Sequence, residues 1–291
     1  MTARTLSALS FALLMPLLAR PEDAAGNHRI EDIEFASHGA RLSGSLVLPR
    51  EGRIHSAVVY IHGSGPQTRS MGVARLFADA GIAALVYDKR GVGKSGGEYE
   101  SKQNVSGKNV VLLADDAAAA LAELARHPAL DGVPLGFTGI SQAGWIAPLA
   151  ARRSRRVDFL LMWSGPVCKV SEEDIYSKYT GDSDRKTVPP YSEALAARTE
   201  KYIWPDFLGR DTDAGEDLAG LSIPGLWIFS DNDASIPVDL SIARLESLRR
   251  KGHPYEYQLF PGLGHDNLES TFAVAAAWIK AQPRSQSREA P

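Results

Sequence analysis

The chain has 291 residues, 44% of them hydrophobic and 23% charged, which predicts one soluble globular domain with a sizeable core. Its net charge is −3 and its basic residues are dispersed, so neither a nucleic-acid-binding surface nor a surface for acidic membranes is expected. Cys168 is the only cysteine, which excludes an internal disulfide and a redox pair. No motif has the spacing of metal ligands, and we predict neither a metal nor a cofactor.

The amino terminus has the pattern of a secretory signal. Arg4 precedes an apolar run over 6–18, which is too short to span a bilayer, and polar residues follow from position 20. We therefore expect residues 1–25 to be a signal peptide, cleaved near Ala19 or Ala25, and the protein to be exported to the periplasm or the extracellular space. Once the signal is removed, no stable membrane insertion is expected. An uncleaved hydrophobic anchor is the alternative.

Strand and helix patterns alternate along the rest of the chain. Apolar or alternating runs predict eight strands, at 30–36, 41–48, 57–61, 82–87, 133–138, 157–163, 225–229 and 255–260. Helical periodicity lies between them, at 71–80, 110–124, 141–152, 238–250 and 268–281. Continuous apolar strands separated by helices indicate a mostly parallel sheet covered on both faces, and the first two strands indicate an antiparallel hairpin at its edge.

The connection between 163 and 226 is too long for an ordinary loop. We expect a small helical cap there, inserted at about 167–222 of a single domain that spans 26–291. Its aromatic side chains could line an acyl or aryl pocket, or they could hold the cap onto the sheet, and the sequence leaves both open. They are Tyr176, Tyr179, Tyr191, Tyr202, Trp204 and Phe207.

A candidate nucleophile lies in the stretch Gly139-Ile140-Ser141-Gln142-Ala143-Gly144, between a predicted strand and a predicted helix. A serine at such a sharp turn projects its hydroxyl away from the backbone, beside the free N–H groups of the first helical turn. Because the backbone segments approach closely at this turn, the residues two positions before and after the serine must have very small side chains. Gly139 meets this need, whereas Ala143 carries one methyl group where the G-x-S-x-G pattern has glycine. By itself the stretch fits an ordinary glycine-rich connection equally well.

Three further polar side chains follow two other strands. Asp231 and Asp233 come after the strand at 225–229, and His265 comes after the strand at 255–260. Ligands of open parallel sheets bind at the carboxyl ends of the strands. The chain therefore carries a hydroxyl, a carboxylate and an imidazole at three strand ends of one predicted edge.

Five motifs occur in the order typical of the α/β-hydrolase family, which the chain resembles over about residues 30–281. They are His62-Gly63-Ser64-Gly65-Pro66, Tyr87-Asp88-Lys89-Arg90-Gly91-Val92-Gly93-Lys94-Ser95, the stretch at 139–144, Ser230-Asp231-Asn232-Asp233-Ala234-Ser235-Ile236-Pro237, and Gly262-Leu263-Gly264-His265. The chain looks most like the secreted bacterial branch with an HGSGP oxyanion loop. The resemblance implies the α/β-hydrolase fold, with a mostly parallel eight-stranded sheet, helices on both faces and a helical cap insertion.

The resemblance also implies a catalytic triad, with Ser141 as nucleophile, His265 as general base and an acid from the loop after the seventh strand. Asp233 lies four residues before Pro237, as in the family's G-x-x-D-x-x-V-P pattern, and we favour it as the acid. The competing Asp231 would then stabilise the turn by accepting local N–H groups.

The backbone N–H groups of Ser64 and Gln142 are the predicted oxyanion hole, since they belong to the HGSGP loop and to the residue after the nucleophile. A simple tight turn is the alternative for that loop. We expect His62 to be a structural hydrogen-bonding residue and not a base. The run Asp88-Lys89-Arg90-Gly91 lacks the spacing of a phosphate loop, and we expect it to contain an internal ion pair that braces the loop.

These features together predict a serine hydrolase, specifically a carboxylesterase that cleaves a small-molecule acyl substrate through an acyl-enzyme. A serine aminopeptidase or a thioesterase would use the same trio of residues. An alternative of a different class is a non-catalytic binding protein, because a fold does not determine a function. The sequence does not predict the oligomeric state.

Overall fold

The computed structural model describes residues 27–154, 156–182, 187–198 and 205–283. The predicted signal peptide at 1–25 lies outside these ranges, as do Tyr202 and Trp204 of the predicted cap. Within the described ranges, we find no helix that is both long enough and apolar enough to cross a membrane.

Eight strands form one sheet in the order β1-β2-β4-β3-β5-β6-β7-β8. Both pairings of β2, with β1 and with β4, are antiparallel, and the other neighbours are parallel. The strands are β1 His28–Ser37, β2 Ala40–Pro49, β3 Ser56–Ile61, β4 Ile82–Tyr87, β5 Leu135–Ile140, β6 Phe159–Trp163, β7 Gly225–Ser230 and β8 Tyr255–Phe260. Every residue of β3 and β4 is buried, as expected for parallel strands covered on both faces.

The helices cover both faces of this sheet. They are α1 Met71–Asp79, α2 Gly107–Leu124, α3 Ala143–Arg153, α4 Val170–Thr180, α5 Tyr191–Ala197, α6 Ala214–Ala219, α7 Val238–Arg250 and α8 Leu268–Lys280. Successive residues of a strand point to opposite faces, so Val59 belongs to the apolar cluster that includes α2, α3 and α7, whereas Val58 belongs to the cluster that includes α1 and α8. The described chain therefore has two apolar layers separated by the sheet.

The connection between β6 and β7 contains α4, α5 and α6. Tyr176 on α4 is buried against Ala194 of α5, and its hydroxyl donates a hydrogen bond to the Pro189 carbonyl. Arg244 on α7 binds Glu172 at 2.7 Å and Asp213 at 3.3 Å, which ties the connection to the sheet domain. Tyr176 thus holds the helices of the connection to each other.

Candidate active site

Ser141 occupies a sharp turn between β5 and α3. Its φ is +57°, in the left-handed region that non-glycine residues seldom adopt. Its N–H donates to the Trp163 carbonyl at 3.0 Å, and its carbonyl accepts from the Gly144 N–H at 2.8 Å, so both sides of the strained residue are fixed. Strain of this kind is retained where the surrounding structure enforces it, typically at functional sites.

The small neighbours of Ser141 are required by close backbone contacts. A Cβ on Gly139 would lie 2.4 Å from the Ile61 carbonyl oxygen and 2.5 Å from the Ala143 Cβ. A Cβ on Gly144 would lie 2.6 Å from the ring of Pro166. The methyl group of Ala143 fits because it faces the empty side of Gly139, which explains how the turn forms without the second glycine of the G-x-S-x-G pattern.

The structure brings His265 and Asp233 together. His265 Nδ1 lies 3.0 Å from Asp233 Oδ1 and 2.9 Å from Oδ2. The Asp233 carboxylate is fully buried, and its Oδ1 also accepts the backbone N–H groups of Ser235 at 2.9 Å and Ile236 at 3.3 Å. A carboxylate held in this way keeps the proton of the imidazole on Nδ1 and leaves Nε2 as the basic nitrogen.

Asp231 has a different partner. Its Oδ1 accepts the N–H of Gly262 at 2.7 Å, and its own N–H donates to the Phe260 carbonyl at 3.3 Å. Asp231 therefore joins the loop after β7 to the loop after β8, and its side chain accepts an N–H group 31 residues away instead of the local N–H groups that the sequence predicted.

Ser164, which sequence analysis did not single out, joins the loops that carry Ser141 and His265. It directly follows Trp163, whose carbonyl binds the Ser141 N–H. Its hydroxyl donates to the His265 carbonyl at 2.8 Å and accepts the Asn267 side-chain amide at 3.2 Å. The run Ser164-Gly165-Pro166 repeats the Ser-Gly-Pro of the predicted oxyanion loop, but this repetition does not indicate a contact with His265.

The predicted oxyanion loop lies beside the nucleophile. A Cβ built on Gly63 would be 3.5 Å from the Cβ of Ser141, so the segment that leads into Ser64 touches the turn after β5. Gln142, which carries the other predicted donor, is fully buried. Gly63 and the turn that contains Ser141 are therefore neighbours in the fold.

Lys89 is buried under this loop, and sequence analysis missed its position. Its Nζ donates to the Gly63 carbonyl at 2.9 Å, to the Gly65 carbonyl at 3.2 Å and to Gln142 Oε1 at 2.9 Å. Burial lowers the pKa of its ammonium group to about 8. The Gln142 side chain is also held at its other end, because its Nε2 donates to the Asn104 carbonyl at 2.8 Å.

The ion pairs of the loop after β4 are formed with residues outside it. Asp88 pairs with Arg69 at 2.8 Å, and Arg90 pairs with the fully buried Asp116. Burial opposes ionisation of Asp88, but hydrogen bonds from Arg69 and from the Lys94 N–H outweigh it and lower the pKa of the carboxyl to about 2. Two buried ion pairs, instead of the one expected, therefore brace the loop by anchoring it to neighbouring elements.

His62 is a structural residue, as expected. Its Nε2 hydrogen-bonds to the Tyr87 carbonyl, and burial lowers the pKa of the ring to about 4. The ring is therefore neutral at physiological pH, and its Nδ1 has no hydrogen-bond partner in the part of the chain that the structure describes. Across those residues, we also find no group of histidine, cysteine and carboxylate side chains arranged to hold a metal ion.

Part of the chain is similar in sequence to known enzymes. Residues 52–185 match the family model described as serine aminopeptidase, S33. The polyketide transferase claH of Penicillium crustosum is 38% identical over 104 residues. This match covers 36% of the chain and 32% of the transferase, so it spans about a third of that protein's length.

Solved structures extend the similarity to most of the described chain. An esterase of Pyrococcus furiosus superposes with a TM-score of 0.63 at 17% identity, covering 90% of this chain and 92% of that one. An acetyl xylan esterase from Paenibacillus sp. R4 gives 0.65 at 20% identity, covering 93% and 87%. An acylaminoacyl peptidase of Pyrococcus horikoshii gives 0.66 at 15% identity, covering 93% of this chain and 44% of the peptidase. The predicted α/β-hydrolase fold is thereby confirmed.

Proposed function

We propose that the protein is a serine hydrolase that cleaves carboxylic esters through an acyl-enzyme intermediate. The observation that carries the proposal is the pair of short contacts between His265 Nδ1 and the buried carboxylate of Asp233, in a loop that Ser164 joins to the strained Ser141 turn. A buried carboxylate that fixes one imidazole tautomer is a costly arrangement, and it prepares the other ring nitrogen to accept a proton.

In the proposed reaction, His265 Nε2 takes the proton from the Ser141 hydroxyl as its oxygen attacks the acyl carbon. The backbone N–H groups of Ser64 and Gln142 donate hydrogen bonds to the carbonyl oxygen and stabilise the negative charge that develops on it. His265 then returns the proton to the leaving alkoxide, and the Ser141 ester is hydrolysed by water, which His265 activates in turn. Asp233 holds the tautomer and stabilises the imidazolium throughout.

An ester is the favoured substrate because its alkoxide leaving group needs less help from a proton donor than an amine does. The esterases of Pyrococcus furiosus and Paenibacillus that share the fold support this choice. The description of the matched family and the similarity to an acylaminoacyl peptidase favour a second candidate, a serine aminopeptidase. A thioesterase would use the same residues, and the pocket would distinguish the three.

The test begins with a fluorophosphonate probe on the purified protein, with Ser141→Ala as control. We expect labelling of the wild type and none of the variant. Turnover is then compared on p-nitrophenyl esters of increasing acyl length, acyl thioesters and aminoacyl anilides at equal concentration. Faster anilide or thioester turnover would replace the esterase proposal with the corresponding alternative, and absence of labelling would favour the non-catalytic binding protein.

We also propose that the protein acts outside the cytoplasm, as the pattern of residues 1–25 suggests. Amino-terminal sequencing of the protein from the periplasm or the medium should give a chain that begins shortly after Ala19 or Ala25. A full-length chain in the membrane fraction would instead support the uncleaved anchor.

A further inference from the structure

We propose that Lys89 is the positioning residue of the oxyanion hole, holding the loop that carries Ser64 and the side chain of Gln142 on one buried ammonium group. The inference rests on the proposed function and assigns to the loop after β4 a part in the reaction that the triad does not supply.

The peptide between Gly63 and Ser64 carries one of the two proposed oxyanion donors. The chain has no cis peptide bond among its described residues, so the Gly63 carbonyl and the Ser64 N–H point in opposite directions across one rigid plane. Lys89 Nζ lies 2.9 Å from that carbonyl oxygen. By fixing the carbonyl, the ammonium directs the Ser64 N–H away from itself, and by polarising the peptide it makes that N–H a stronger donor.

The other proposed donor is the backbone N–H of Gln142. Gln142 directly follows the nucleophile, and Lys89 binds its side-chain oxygen at 2.9 Å while the Asn104 carbonyl accepts from its side-chain nitrogen at 2.8 Å. The side chain is thus fixed at both ends. One ammonium group therefore joins the two halves of the oxyanion hole, which belong to loops far apart in sequence.

The positive charge of the buried ammonium group also bears on the reaction. The three hydrogen bonds, to Gly63, to Gly65 and to Gln142, use all the protons of the ammonium group, and within the described ranges Lys89 forms no ion pair with a carboxylate. Lys89 is only 3% exposed, so its charge is poorly screened by water. An unpaired buried cation next to the loop favours a substrate group that becomes negative in the transition state.

The pH dependence follows from the groups that face Lys89. The neighbouring titratable side chains are His62, Asp88 and Tyr99, whose ring centroid is 5.9 Å from Nζ. His62 is neutral above about pH 4, Asp88 is ionised above about pH 2, and burial raises the pKa of Tyr99 from its ordinary value. Lys89, with a pKa of about 8, is the group of this set that changes charge between pH 6 and pH 9.

The experiment compares the wild type with Lys89→Met, Lys89→Arg and a matched control, Lys94→Met, which makes the same change at an exposed position of the same loop. We expect Lys89→Met to lower kcat by about 10²–10³, the loss produced by removal of one oxyanion donor, while KM changes less than about threefold. Affinity for a trifluoromethyl ketone, which forms a tetrahedral adduct with serine, should fall by the same factor as kcat/KM. Lys94→Met should match the wild type.

The pH dependence of kcat distinguishes a positioning role of Lys89 from a purely structural one, because a purely structural lysine would not change it. Wild-type kcat should decline above about pH 8, and in Lys89→Arg, whose guanidinium stays charged, this decline should move to higher pH. An unchanged alkaline decline in Lys89→Arg would overturn the inference, and this comparison decides the matter if Lys89→Met does not fold. A kcat of folded Lys89→Met within about threefold of the wild type would also overturn the inference. A wild type that neither labels nor turns over ester contradicts the proposed function instead.

Discussion

Asp88 links the stability of the loop after β4 to pH. The carboxylate accepts hydrogen bonds from the Arg69 guanidinium at 2.8 and 3.0 Å and from the backbone N–H groups of Arg69 and Lys94, so the ionised form is strongly favoured in the folded chain. Replacing it by Asp88→Asn removes the charge while keeping the size of the side chain. Because the pKa of the folded carboxyl is lower than that of the unfolded one, ionised Asp88 stabilises the fold at neutral pH and loses this effect as the pH falls.

The magnitude follows from the pKa. A fall from the ordinary value of 3.8 to about 2 corresponds to about 2.4 kcal/mol of unfolding free energy at pH 7. Roughly half of this remains at pH 3, where the folded carboxyl is still mostly ionised and the unfolded one is mostly protonated. The difference in unfolding free energy between the wild type and Asp88→Asn should therefore shrink by about 1 kcal/mol between pH 7 and pH 3.

The assay is urea denaturation of both proteins at several pH values from 3 to 7, followed by circular dichroism. Asp131→Asn is the matched control, because Asp131 is exposed, and its difference from the wild type should stay nearly constant over the same range. The reasoning is refuted if the Asp88→Asn difference is also independent of pH, since the Arg69 contact would then contribute nothing through charge.

Two further substitutions test the packing around the site. Gly139→Ala should destabilise the fold by about 1–3 kcal/mol, and adding Ala143→Gly should not restore stability, because the Ile61 carbonyl oxygen still lies 2.4 Å from the new methyl group. Full rescue in denaturant unfolding would show that this contact is easily relieved. Asp116→Asn should cost about 3–5 kcal/mol by leaving the Arg90 charge buried without its counter-ion, and an unchanged unfolding midpoint would contradict this.

The sequence predicted the regular elements well where hydrophobic periodicity determines them. The bounds of β4, β8 and α7 agree with those expected from their apolar patterns. β5 begins at Leu135 instead of Val133, because its start is set by pairing with β3 and by the turn in which the Val133 N–H donates to the Leu130 carbonyl. Hydrophobicity alone does not encode such pairing.

Helix α3 shows a second limit of periodicity. It begins at Ala143 and not at Ser141, since a residue with a φ of +57° cannot be helical. The short helices α5 and α6 were expected only as an unspecified cap, because seven and six residues are too few for a periodic pattern to define them. The position of α6 depends on contacts such as that of Arg244 with Asp213, which joins residues distant in sequence.

The candidate site was predictable to the extent that it follows motifs. The three residues of the proposed triad and the predicted oxyanion loop have characteristic residue types at characteristic spacings. Lys89 and Ser164 act on backbone carbonyls, those of Gly63, Gly65 and His265, and a carbonyl acceptor places no demand on the identity of the residue that carries it. Their roles therefore leave no pattern in the sequence and emerge only from the folded chain.

The choice between two carboxylates is open to a direct test. In Asp233→Asn the side-chain oxygen should stay on the N–H groups of Ser235 and Ile236, which would turn the amide nitrogen toward His265 Nδ1. The imidazole would then carry its proton on Nε2 and could not take one from Ser141, so we expect kcat/KM on a p-nitrophenyl ester to fall by about 10⁴ with little change in the circular dichroism spectrum. Asp231→Asn keeps an oxygen for the Gly262 N–H, and its activity should stay within about tenfold of the wild type. Equal, small losses in the two variants would refute the assignment, because neither carboxylate would then determine the tautomer of the base.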